Sequence, residues 1–367
     1  MQARLLESAA LQSNVQEDLP ARIAVAFEQA VHEACHYIGR TAPNPPVGCA
    51  LLDKDGRILT VAAHHQAGDL HAEALALKQC RELGLWDQIA EAVVTLEPCN
   101  HSGRTPPCVH ALLESSVQKI WIGAVDPNPH VFGKGAERLM QNGREVILLS
   151  QLESDKSHYW AQQCRNLIAP FAKTVLHRKA WLTVKQAINI HGDMYPPAGQ
   201  KTFTSFTSLK LAHQLRRGTE AIITGSRTIM TDWPSFTVRN VTDHPDRKRL
   251  LVICTHHAGT LTDLIPVQYV QQAETNGFRI QLCRDVHHLG EILADQGVIW
   301  GLVEGGPKLL QTLKQDDLWD DWVTIQQQAH GEDKISIQTN HGDSPAQLLF
   351  SDFYDYKAKE EKCSLAS

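Results

Sequence analysis

The sequence predicts an α/β protein of two domains. Its 367 residues exceed the roughly 100–200 that one core usually organises. Apolar runs of strand length alternate with stretches of helical periodicity in both halves of the chain, which puts helices on the faces of a sheet. An apolar fraction of 43% and a charged fraction of 21% are those of an ordinary globular chain.

The elements follow in order. Residues 1–20 lack periodicity and are expected to form a leader. Between Ala21 and Arg40, Ile23, Val25, Ala26, Phe27, Ala30, Val31 and Cys35 recur at helical spacing. Thr41-Ala-Pro-Asn-Pro-Pro46 is a loop. Val47–Leu52 and Ile58–Ala63 read as strands joined by a turn at Asp53-Lys-Asp-Gly56. A helix starts at Leu70 or His71, and Ala92–Leu96 is an apolar strand that runs into Glu97-Pro98-Cys99. A polar, proline-rich loop over 100–107 precedes a helix from Cys108 to Ser115. Lys119–Val125 and Glu145–Leu149 read as strands with a helix between them over Gly135–Asn142. Residues 150–178 form a helical connector. Trp181–Ile188, Ala221–Thr224, Arg249–Cys254 and Val298–Val303 are the strands expected in the second domain, and the pattern weakens from Asn340.

Composition removes several classes of function. A net charge of −6 offers no basic field for nucleic acid, so a phosphate-bearing small substrate needs local cations. There is no apolar run of about 18 residues, so no membrane span is expected. The first residues do not resemble a secretory signal. Nine scattered cysteines, an odd number, fit a reducing compartment, and the cytoplasm is expected.

The chemistry concentrates at His71-Ala-Glu73, Cys99 and Cys108. One imidazole and two thiolates supply three zinc ligands and leave a fourth position for water. Two of these residues stand where helices begin, and a helix N-terminus favours thiolate over thiol. Glu73 is placed to move protons from water to a ring nitrogen and then to a leaving amine. Zinc nucleobase deaminases carry H-x-E followed by P-C-x-x-C. Here eight residues stand between Cys99 and Cys108 in place of two. A lone H-x-E is common by chance and cysteines often serve only as packing; the ordered combination is what points to a zinc hydrolase. A structural zinc site would instead fill four positions with protein ligands.

The stretch Thr95-Leu-Glu-Pro-Cys-Asn-His-Ser-Gly-Arg-Thr-Pro-Pro-Cys108 resembles the bifunctional riboflavin biosynthesis deaminase-reductase family, whose longer loop has this spacing. Pro43-Asn-Pro-Pro-Val-Gly48, His65-Gln-Ala-Gly68, Asp126-Pro-Asn-Pro129 and Gly133-Lys-Gly135 follow the family in the same order. The resemblance implies a cytidine-deaminase-like three-layer domain over 21–165, followed by a dihydrofolate-reductase-like α/β domain over 170–367. It also implies hydrolytic deamination of a diaminopyrimidinone carrying a phosphoribosylamino group, then reduction of the ribose by NADPH. Asn44, His65, Arg104, Asp126 and Asn128 match the deaminase pocket of the family, with His101, Arg104 and Lys134 as candidates for the ribose or phosphate.

In the second half Lys185, Arg216, Phe236, Arg239 and Glu304 are the implied substrate residues. Thr228, Asp232, Thr255, Gly305, Gly306 and Pro307 are the implied NADPH residues, and a Gly-Gly at a strand-to-helix junction lets phosphate approach backbone amides. His191, Thr202 and Cys254 depart from the family pattern. These departures set out the alternative of a deaminase with a degenerate second domain. Small-molecule substrates and a homo-oligomeric contact through the second domain complete what the resemblance implies.

Overall fold

In the computed structural model, residues 18–100, 107–129, 132–197, 199–200 and 202–350 are described. The first unit is built from α1 (Ala21–Cys35), β1 (Gly48–Asp53), β2 (Ile58–Ala63), α2 (Ala72–Glu82), β3 (Ile89–Leu96), α3 (Cys108–Glu114), β4 (Lys119–Ala124), α4 (Lys134–Gln141) and β5 (Glu145–Leu148). Its sheet has the order β2-β1-β3-β4-β5, with β1 antiparallel to both neighbours and β3, β4 and β5 parallel.

Side-chain alternation along these strands makes three layers. Ala50, Leu52, Val93 and Trp121 pack towards Phe27 and Ala30 of α1, whereas Cys49, Leu51, Val94, Ile120 and Ile122 pack with Ala76, Leu77, Leu112 and Leu139 of α2, α3 and α4. The turn between β1 and β2 forms as expected: the Asp53 carboxylate accepts N–H bonds from Asp55 and Arg57 at 2.8 and 2.9 Å, and Gly56 takes φ +82°.

The second unit contains β6 (Trp181–Ile188), α6 (Phe206–Gly218), β7 (Ala221–Gly225), α7 (Ser226–Asp232), β8 (Arg249–Cys254), α8 (Leu261–Leu264), α9 (Val267–Thr275), β9 (Phe278–Cys283), α10 (Leu289–Asp295), β10 (Trp300–Val303), α11 (Pro307–Gln315), β11 (Asp321–Gln326) and β12 (Lys334–Thr339). The strand order is β12-β11-β6-β10-β7-β8-β9, parallel except for β12. Sequence periodicity did not reveal β9, β11 or β12. β9 and β12 are the two sheet edges, where half of each strand faces solvent and no continuous apolar run is needed.

Between the sheets lies α5 (Asp155–His177). It runs without interruption across residues 165–170, where sequence reading placed the join between domains, and it includes Pro170. Lys173 of α5 meets both oxygens of the fully buried Asp320 at 2.6 Å, and Asp320 also accepts the Leu182 N–H at 2.7 Å, which ties the helix to the second sheet. One apolar cluster contains Phe27 and Trp121 of the first unit together with Leu211, Ile222 and Trp300 of the second. α1 stops at Cys35, short of the expected Arg40, because the chain turns there into this joint. Gly39, at φ +82°, lies so near the Arg217 carbonyl that a Cβ would sit 2.6 Å from its oxygen. Arg217 donates to the His36 carbonyl at 2.6 Å, and the His244 ring to that of Ile38 at 2.8 Å.

Candidate functional site

The metal constellation is built from chain reversals at one end of the first sheet. His71 is the extended residue that caps α2, Cys99 follows β3 by three residues, and Cys108 opens α3. The His71 Nδ1 lies 3.3 Å from Cys108 Sγ and 3.5 Å from Cys99 Sγ, and the three donor atoms are all within 4.8 Å of one another. Tetrahedral zinc at its usual bond lengths separates a nitrogen and a sulfur ligand by roughly 3.6 Å, so the donor set fits the ion. The Cys108 backbone N–H donates to Cys99 Sγ at 3.4 Å. The Cys99 thiol is drawn well below its ordinary pKa, chiefly by the Cys108 thiol and then, against burial, by His71. Glu73, in the first turn of α2, is 3% exposed, and burial and then the Cys99 charge push its carboxyl upward.

A cavity of about 520 Å³ opens beside these residues, lined among others by Asn44, His64, His71, Glu73, Glu97, Cys99, Asp126, Asn128 and Phe171. Asn44, Asp126 and Asn128 are thus brought to the metal residues. His65 is not among the lining residues: its ring stacks on Tyr37 with centroids 4.2 Å apart. The histidine of the cavity is its neighbour, His64. Its backbone N–H pairs with the Val47 carbonyl as a continuation of the β1–β2 ladder, where consecutive side chains take opposite faces. The His64 Nδ1 faces the Leu70 carbonyl at 3.1 Å, so it carries the proton, and Nε2 accepts from the Asn44 amide at 3.0 Å. Burial holds His64 below its ordinary pKa, in keeping with that neutral form. Asn44 therefore turns its amide nitrogen to His64 and keeps its oxygen for another partner.

Glu97 and Phe171 also line the cavity and were not singled out from sequence. Glu97 stands directly before Pro98-Cys99 and is 3% exposed, a buried acid within the strand-to-ligand turn that could have drawn notice. Phe171 comes from α5, and only the tertiary fold brings it there. Lys134 is the exposed first residue of α4, and its carbonyl accepts from Asn100 at 3.2 Å. His101 and Arg104 lie outside the described residues.

In the second unit the expected substrate residues meet just past the carboxyl end of β10, beside the middle of β6. Lys185 Nζ is 2.9 Å from Glu304, and Arg216 grips the same carboxylate through Nε at 2.5 Å and Nη2 at 3.0 Å. Burial alone would raise the Glu304 carboxyl, but the Arg216 and Lys185 charges outweigh it and hold it well below the usual carboxylate range. Arg216 also donates to the Thr237 carbonyl at 3.1 Å and lies over the Phe236 ring. The Arg239 side chain contacts Ser235 and Thr237, while its backbone N–H donates to His213 Nδ1 at 2.7 Å. Burial, then Arg216 and Arg239, bring His213 down to about 4, so it stays neutral; sequence reading missed it.

Gly306 caps α11 with Pro307 as its first residue, and a Cβ on Gly306 would meet only Thr228 Oγ1, at 3.3 Å. A Cβ on Gly225, which caps α7, would meet only that same atom, at 4.0 Å. Glycine backbone at the helix starts beyond two adjacent strands is what close approach of a dinucleotide phosphate requires. Gly305 differs, since a Cβ there would strike Leu309 at 2.8 Å. Thr255 uses its hydroxyl to accept from the His257 N–H at 3.2 Å, and Asp232 ends α7, exposed. His191 and Thr202 are exposed, whereas Cys254 is buried in register with Cys283.

Known proteins match both units. The cytidine and deoxycytidylate deaminase zinc-binding region matches residues 22–124, and the RibD C-terminal domain matches 180–327. The riboflavin biosynthesis protein RibD of Aquifex aeolicus is 31% identical over 300 residues, covering 77% of this chain and 80% of that one. The RibD of a Synechocystis species is 37% identical over 205 residues, 56% of this chain and 52% of that one. The solved diaminohydroxyphosphoribosylaminopyrimidine deaminase/5-amino-6-(5-phosphoribosylamino)uracil reductase of Thermotoga maritima superposes with a TM-score of 0.69 at 26% identity, over 85% of this chain and 89% of that one. Both expected folds, the cytidine-deaminase-like and the dihydrofolate-reductase-like, are therefore present. With a zinc-binding deaminase region joined to a RibD C-terminal domain, the chain belongs to the RibD family of riboflavin biosynthesis proteins.

Proposed function

We propose that the cavity beside His71, Cys99 and Cys108 deaminates a phosphoribosylamino-diaminopyrimidinone, and that the carboxyl edge of the second sheet reduces the deaminated product with NADPH. The observation that carries this reading is the meeting of three zinc donors, two of which line a cavity together with the buried carboxylate of Glu73 and the side chains of Asn44, Asp126 and Asn128. Zinc bound there supplies the Lewis acidity that makes water a nucleophile near neutral pH.

Glu73 accepts a proton as water adds to the amine-bearing ring carbon and delivers it to the ring nitrogen; it then takes the proton of the new hydroxyl and passes it to the departing amine, so that ammonia leaves and a carbonyl remains. Asn44, with its oxygen freed by His64, Asp126 and Asn128 hold the pyrimidine; His101, Arg104 and Lys134 serve the ribose phosphate. In the second domain Lys185, Arg216, Phe236, Arg239 and Glu304 hold the phosphoribosyl product. Gly305, Gly306, Pro307, Thr228, Asp232 and Thr255 hold NADPH. The domains divide near residues 165–170 after a leader over 1–20, the chain works in the cytoplasm, and copies associate through the second domain.

A coupled assay with the diaminopyrimidinone tests both steps. Glu73→Gln should keep its zinc while ammonia release falls by about 10²–10⁴; release at the parent rate refutes the shuttle. NADPH oxidation should begin once the deaminated intermediate is supplied, and no consumption with it refutes the reductase assignment.

A further inference from the structure

We infer that Glu97 is a positioning residue that fastens the substrate-binding loop of the deaminase cavity, an inference resting on the deaminase reading above. Its carboxylate is enclosed by backbone N–H groups from the two ends of one segment. Oε2 accepts from Asp126 at 3.2 Å and Gly133 at 2.9 Å; Oε1 accepts from Gly135 at 2.9 Å and Ala136 at 3.1 Å. A carboxylate has about four lone-pair sites, and four donors fill them.

Three of these donors are N–H groups at the start of α4, where helices leave them without intrahelical partners. The cap position is Gly133, at φ +70°, which has no side chain to satisfy them. Glu97 supplies that cap from the end of β3, with its negative charge at the positive end of the helix. The fourth donor, Asp126, begins the same loop, and the Asp126 carboxylate in turn accepts the Asn128 N–H at 2.8 Å. Asp126 and Asn128 both line the cavity. A further contact tightens the joint: a Cβ on Gly135 would lie 2.1 Å from the Pro98 carbonyl oxygen, so the start of α4 rests against the turn that delivers Cys99. One carboxylate thus sets the distance between the metal ligands and the residues that hold the pyrimidine.

Glu97→Gln keeps the volume and replaces one oxygen by an NH₂ that faces two N–H donors. Amide hydrogen exchange should then show lost protection at Asp126, Gly133, Gly135 and Ala136, with zinc bound in the parent stoichiometry. In the deaminase assay KM should rise about tenfold and kcat change by less than about threefold, since Glu73 and the metal ligands stand outside the fastened segment. Asn128→Ala should raise KM in the parent background and add little in Glu97→Gln, because a side chain already displaced has little left to lose.

Retained protection at the four amides overturns the fastening. Lost protection with an unchanged KM, or additive effects of Glu97→Gln and Asn128→Ala, overturns the link to substrate. Loss of zinc with the substitution overturns it too, because Glu97 would then support the metal loop. If Glu97→Gln does not fold, Glu97→Asp, whose shorter stem cannot reach both ends of the loop, is read by the same measures. A parent protein that releases no ammonia refutes the deaminase reading, and the exchange measurement still decides the fastening.

Discussion

Glu220 offers a direct test of how a buried carboxyl contributes to the second domain's stability. It lies at the start of β7, and its Oε2 accepts the Ile299 and Trp300 N–H groups at 3.1 and 2.8 Å. Only 10% of the side chain is exposed, and Arg247 stands 3.5 Å from the other oxygen. Burial, opposed by Arg247 and the two backbone donors, pushes its carboxyl up to about 7 from the ordinary 4.5. A group whose pKa rises on folding adds stability below the unfolded value, and that stability is lost as pH climbs through the folded one. The window is therefore pH 4.5 to 7, and the full loss above it corresponds to about 3 kcal/mol.

Glu220→Gln removes the titration while its amide oxygen can still accept the two N–H bonds. At pH 4.5 the variant and parent should melt together. At pH 8 the variant should melt higher by up to about 4 °C, given the unfolding entropy of a chain of this length. Loss of the Arg247 interaction works against this gain. The assay is a set of thermal melts at constant ionic strength from pH 4.5 to 8. A difference between the two proteins that does not change with pH refutes the reasoning.

Two further substitutions probe the second sheet and the joint. Glu304→Ala strips both buried cations of their partner and should destabilise the chain by about 3–5 kcal/mol, read by thermal melts, with NADPH oxidation lost in parallel; a melt within 1 °C of the parent refutes the pairing role. Gly39→Ala places a Cβ against the Arg217 carbonyl in a left-handed conformation and should cost about 2 kcal/mol or more without reducing zinc content; unchanged melting refutes the tight approach.

Much of the site could be read before any fold was known. His71, Glu73, Cys99 and Cys108 were legible because a metal centre needs particular residue types, and because the ligands stand at helix starts and a strand end, where chain reversals gather side chains at one edge of a sheet. The unbroken apolar runs Cys49–Leu52, Ala92–Val94 and Ile120–Ile122 likewise announced a sheet covered on both faces. Lys185, Arg216 and Glu304 could be named only through family resemblance; that one carboxylate binds both cations is a property of three adjoining elements.

Sequence by itself determined the chemistry of the first domain, since ligand identity and the order of strands and helices are local matters. Tertiary structure decided which of two adjacent histidines faces the cavity, because strand register fixes the side of each residue and neither ring differs in composition. It decided that Phe171 from the connecting helix lines the deaminase cavity and that the two domains share one apolar cluster, since both depend on how separate faces meet. It also gave Glu97 its four backbone partners, which sequence cannot display because every residue except proline carries the same N–H.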